Sequence, residues 1–152
     1  MAEKLMKLMK NLLLDIEEGV GIVQCDRPDA LNALNNELIK ELSALIDWAK
    51  DVEAVNVFIL TGDGDKAFVS GADVLAMQPM NVRQGKEFAS LGQELLHKIE
   101  EFEKSIIAAI NGFALGGWTE ILMACDIKIA YEKAKLGQPE VKIGIIPGFG
   151  GT

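Results

Sequence analysis

Two glutamates and two glycine-bearing turns are the residues of this chain best suited to chemistry. Glu120 stands in the stretch AINGFALGGWTEILMACD, residues 109–126, among Leu115, Trp118, Ile121 and Leu122. A fully buried, unpaired glutamate is rare, so an acid in that company is either a functional group or a surface carboxylate at an element end. Glu140 follows Pro139 in GQPEVKIG, between apolar segments, and the same two readings apply. A carboxylate at the edge of an apolar cavity can exchange protons near neutrality, which is general acid–base chemistry. Just before Glu120, Gly116 and Gly117 follow an apolar strand and lead into a helix. Orphan N–H groups at the positive end of a helix dipole suit an acyl oxygen that gains negative charge. One such donor is worth about 2.7–4 kcal/mol in a transition state. Glycine serves close strand-to-helix packing equally well. FVSGAD, residues 68–73, is a second turn of this kind. Gly71 permits a tight turn and Ala72 carries almost no side chain, so backbone N–H groups there either face open space or simply begin a helix.

Other candidates carry less. His97 is the only histidine and sits beside Leu96 on a helical segment whose apolar stripe is Phe88, Leu91, Leu95, Ile99 and Phe102. It is expected to point outward, which leaves a nucleophile–histidine pair without support. GFGG, 148–151, has only a faint likeness to a phosphate loop, with no helix after it. Cys25 and Cys125 stand in no CxxC pattern, so no structural zinc site is expected; both read as buried, reduced thiols of a cytoplasmic protein. The net charge of −8 disfavours nucleic acid as a partner. An anionic small ligand stays possible where a few lysines or helix N-termini receive it. No apolar run is long enough to span a bilayer, and no membrane partner is expected.

The elements that must position these residues follow from periodicity. The 152 residues suffice for one domain with a core. Residues 1–10, basic and rich in Met, read as a tail, and 11–152 as the core domain. Residues 11–25 read as a hairpin with Gly19 at the turn. Leu38, Leu42, Leu45, Ile46 and Ala49 share one face of a helix over 36–50, which Asn35 or Asn36 can cap. The run 55–60 reads as a strand covered on both faces, residues 82–104 as a second helix, and 106–110 and 126–130 as further buried strands. This alternation of strand and helix predicts an α/β domain with crossover connections.

Taken together, four segments resemble the enoyl-CoA hydratase (crotonase) family: DRPDALNAL (26–34), KAFVSGAD (66–73), AAINGFALGG with TEILMACD (108–117 and 119–126), and GQPEVKIGIIPGFGGT (137–152). The likeness is greatest to short-chain hydratases, because both acid positions are Glu. It implies a ββα spiral core of the ClpP/crotonase type. It implies a thioester carbonyl held between the N–H groups of Ala72 and Gly117, with water between Glu120 and Glu140. On that pattern Glu120 assists attack at the β carbon and Glu140 exchanges the proton at the α carbon. The backbone of Ala72, Asp73 and Val74 would receive the CoA adenine and Lys66 a phosphate. The resemblance implies no metal or redox cofactor, with coenzyme A entering as part of an acyl-CoA substrate, and a cytoplasmic homo-oligomer, trimeric or hexameric in the family. Isomerase, thioester-hydrolase and non-catalytic readings stay open beside hydration.

Two departures from the family pattern bear on the site. Trp118 stands where the family has a third glycine, and is expected to strain the turn, contact the acyl group or plug the pocket. Ser105 stands where the family has Pro. The family also continues past PGFGGT, so the chain reads as an N-terminal core, truncated, cleaved or engineered. It is expected to self-associate or be marginally stable.

Overall fold

The computed structural model describes residues 9–64 and 77–152. Strand β1 (Leu12–Glu17) turns through Glu18 and Gly19, both at positive φ, into β2 (Val20–Cys25), its antiparallel partner. Helix α1 (Asn36–Ala49) starts at Asn35, whose side chain accepts the Leu38 N–H at 2.9 Å. Its buried face is the predicted stripe, joined by Ile39 and Glu41. Strands β3 (Val57–Gly62), β4 (Ser105–Ile110) and β6 (Ile127–Ala130) extend the sheet in parallel, giving the order β1-β2-β3-β4-β6. Helix α2 (Val82–Glu100) opens with a capping box between Asn81 and Gln84. It packs on α1, and the core lies between these helices and one face of the sheet. Two short elements had no clear sequence signal: β5 (Phe113–Leu115) and β7 (Lys135–Gly137), which pair in parallel as a second small sheet. Helix α3 (Gly117–Ala124) follows β5 directly.

Three expectations need correction. The second helix ends at Glu100 rather than residue 104; Phe102 is buried from the connection that follows. Strands β3 and β4 bury alternate residues only, so one face of the sheet is half-covered. Strand β6, read as buried, is exposed along its whole length, with Ile127 at 49% and Ile129 at 61%. Among the described residues it is an edge strand, paired only with β4. On the half-covered face Ile22, Ile59, Ile107 and Ile127 lie opposite one another across four strands.

Met9 packs against the core, and the next two residues are fastened to α1. The buried Glu41 carboxylate accepts the N–H groups of Lys10 and Asn11, each at 2.9 Å, and the Asn11 side-chain amide at 3.0 Å. Removing it leaves those donors unmatched, and each such buried group costs about 1–3 kcal/mol. With the two Asn11 donors buried, Glu41→Ala is therefore expected to lower stability by about 2–6 kcal/mol at unchanged m-value in a denaturant titration. An unmoved midpoint would contradict the role given to this carboxylate.

Cys25 and Cys125 are buried free thiols, as expected. Burial pushes both up, Cys125 to about 12 and Cys25 further. Among the described residues no helix is long and apolar enough to cross a membrane. Nor does any cluster of three His, Cys, Asp or Glu there suit a metal ion.

Candidate active site

The junction of β5 and α3 is built around Gly116, at φ +59 and ψ −131. That φ lies in the left-handed region, which favours glycine. The Gly116 N–H donates to the Gly137 carbonyl at 2.9 Å, which ties the junction to the end of β7. The Thr119 hydroxyl adds to the tie, lying 2.6 Å from the Ala114 carbonyl oxygen and 3.0 Å from that of Gly137. Beyond Gly137 a 3-10 turn (Pro139–Lys142) swings Glu140 against the junction. A Cβ on Gly116 would lie 2.5 Å from Glu140 Oε1. Glu140 Oε2 is buried and has no hydrogen-bond partner among the described residues.

Gly117 is the first residue of α3 and keeps an N–H that the helix itself cannot satisfy. Glu120 is three residues on, hence on the same helical face, and only 1% exposed. Its Oε1 accepts two backbone N–H groups from the glycine-rich segment, Phe149 at 2.9 Å and Gly151 at 2.7 Å. The segment that looked faintly like a phosphate loop thus donates its N–H groups to an oxygen of the protein's own Glu120 side chain. Two contacts hold this segment in place. Gln93 Nε2 donates to the Gly148 carbonyl at 2.8 Å. The Phe149 ring lies against Gly92 and Gly117, where a Cβ would strike it.

Glu120, Glu140 and Gly117 line one cavity of about 570 Å³, whose other walls include Phe88, Ile146 and Phe149. The arrangement is two carboxylates and an orphan amide around an apolar chamber, within the size range of small-molecule sites. It can seat an apolar chain by its walls and move protons at an atom placed between the acids.

Three of the predicted site residues are therefore brought together. Trp118 is not with them: it is fully buried in the core and does not line the cavity. It is an ordinary residue of the first turn of α3, and the position that needs glycine-like backbone is Gly116. Lys66, Ala72, Asp73 and Val74 lie outside the described residues. His97 is exposed, as expected. Sequence reasoning missed Phe149 and Gly151, the donors to Glu120. It also missed Gln138, whose buried side-chain amide has no partner among the described residues and whose Nε2 lies 2.7 Å from where a Gly151 Cβ would be. The signal available for them was the glycine spacing of residues 148–151 and the polar Gln138 two positions before Glu140.

The chain is 48% identical over 143 residues to a crotonyl-CoA hydratase of Syntrophomonas wolfei, covering 94% of this chain and 55% of that protein. It is 49% identical over 144 residues to a short-chain-enoyl-CoA hydratase of Clostridium acetobutylicum, covering 95% and 55%. The crystal structure of an enoyl-CoA hydratase from Bacillus anthracis superposes with a TM-score of 0.90 at 38% identity, covering 93% of this chain and 55% of that one. The chain thus spans about half the length of the curated relatives it matches. Residues 15–152 match the family model described as enoyl-CoA hydratase/isomerase. With that match, the fold and the two strong likenesses in hand, the chain belongs to the enoyl-CoA hydratase/isomerase family.

Proposed function

We propose that the site carries out reversible addition of water to a 2-enoyl-CoA thioester. One observation carries the reading: Glu120 and Glu140 line the same apolar cavity, with the Gly117 amide beside them. The names of the relatives, crotonyl-CoA hydratase and short-chain-enoyl-CoA hydratase, support it. The thioester oxygen accepts the Gly117 N–H, with the Ala72 N–H as the second donor, so that negative charge on the enolate is stabilised as it forms. Glu120, held by two N–H groups on Oε1, takes a proton from water as its oxygen attacks the β carbon. Glu140 delivers a proton to the α carbon, so that the elements of water are added across the double bond. The backbone of Ala72, Asp73 and Val74 receives the CoA adenine and Lys66 a phosphate. No metal or redox cofactor takes part in this scheme, and coenzyme A enters with the substrate. The test is loss of conjugated-thioester absorbance when a short enoyl-CoA is added to the purified chain. Chromatography of the products then separates hydration from isomerisation and thioester hydrolysis. A saturable rate giving the 3-hydroxyacyl product supports the reading; no rate above buffer sinks it.

The same reading makes the chain a cytoplasmic protein that self-associates, and its two buried thiols suit a reducing setting. Self-association is supported by the apolar side chains left open, among them Ile127, Ile129, Tyr131 and Ile146. Sedimentation velocity at two protein concentrations is expected to show species larger than one chain. A single monomeric boundary at both would refute it.

A further inference from the structure

A second cavity, of about 260 Å³, lies beside the first. The two have Met77 and Phe88 in common among their lining residues, so these side chains are the partition between them. Phe88 projects from the second turn of α2, is 5% exposed, and packs its ring on that of Phe149 at 5.4 Å between centroids. A buried ring held this way is a stiff wall, because close-packed interiors yield little. Met77 is half-buried and unbranched, hence the adaptable part. Beyond the partition the second cavity is lined by Leu34, which is fully buried, and by Met80, and it reaches Asn36 and Glu37 at the surface.

We propose that Phe88 and Met77 form the end wall of the acyl site and that the second cavity is a closed-off extension of it. The inference rests on the acyl-CoA reading above and sharpens its substrate class. With the wall intact, the site takes short, unsubstituted acyl groups. With the wall removed, the end of a longer saturated tail runs past Leu34 and Met80. Each further methylene buried there is worth about fourfold in affinity, from its transfer free energy. Two or three such groups are enough for an easily read change of preference.

The experiment measures Kd by calorimetry for butyryl-CoA and octanoyl-CoA, saturated thioesters that cannot be hydrated. Wild type, Phe88→Ala, Phe88→Leu and Met77→Ala are compared, each checked for a cooperative thermal transition. Wild type is expected to prefer butyryl-CoA. The ratio of octanoyl to butyryl affinity is expected to rise at least about tenfold in Phe88→Ala, with smaller rises in the same direction for Phe88→Leu and Met77→Ala. If Phe88→Ala does not fold, the other two variants decide. A ratio that stays at the wild-type value in the folded variants overturns the wall, as does a wild type that already binds octanoyl-CoA as well as butyryl-CoA. Failure of wild type to bind either thioester is the separate result that overturns the acyl-CoA reading itself.

Discussion

On the proposed hydration mechanism, Glu140→Gln is expected to lower the rate constant by about 10²–10⁴-fold, the usual contribution of a positioned acid or base. The amide keeps the shape of the side chain and still accepts and donates hydrogen bonds, but it cannot deliver a proton to the α carbon. The loss should fall on kcat while KM moves little, because an interaction used in the chemical step is removed rather than one that holds the ground state. Glu120→Gln should behave alike, and for a structural reason it should also fold. The amide oxygen can still accept the Phe149 and Gly151 N–H groups that Oε1 accepts now. Steady-state rates for both variants, beside thermal melts, check this. A Glu140→Gln rate within about threefold of wild type would remove Glu140 from the mechanism, since it lies below the range for general catalysis.

Gly116→Ala is expected to damage both stability and turnover. At φ +59 and ψ −131, a sparsely populated region for any residue with a side chain, the strain is about 1–3 kcal/mol. The new Cβ would also lie 2.5 Å from Glu140 Oε1, closer than real contacts allow, so the carboxylate must move. A displacement of about 1 Å in a reacting group costs about 10²-fold in rate. The expected result is a melting transition lowered by several degrees and a hydration rate down by about 10²-fold, beyond what the stability loss explains at the assay temperature. Retention of both the midpoint and the rate would show that the junction is softer than its geometry indicates.

Much of the fold was legible where local signals are strong. The Asn35 cap and the stripe from Leu38 to Ala49 mark α1, and the turn at Gly19 marks the hairpin. The short pairing of Phe113–Leu115 with Lys135–Gly137 was not, because three residues carry too little periodicity and their register is set by tertiary contacts. The exposure of β6 was missed because its isoleucines were read as buried although Lys128 stands between them, and strand residues carry no mark that distinguishes an edge from the middle of a sheet. At the site, Glu120 and Glu140 were recognisable by their apolar company. Their meeting was implied by the family resemblance but not by spacing or periodicity, since it depends on the Gly116–Gly137 hydrogen bond. Trp118 was misplaced for a geometric reason. It adjoins Gly117 in the chain, but successive positions on a helix are about 100° apart, so the Gly117 backbone borders the cavity while the Trp118 side chain turns to the core.

The strand order also bears on how the chain comes together. Among the five strands of the main sheet, only β1 and β2 pair across a tight turn. Val20 must find Val57, Val57 must find Ser105, and Ile107 must find Ile127, each across a long intervening stretch. Loop closure has to precede the reward of such contacts, which slows folding relative to chains of local contacts. The hairpin, closed by its tight turn, is expected to form before the parallel strands dock, and the unpaired strand edges stay open to other chains until they do. Expression at lower temperature and low chain concentration therefore favours the native sheet over intermolecular pairing.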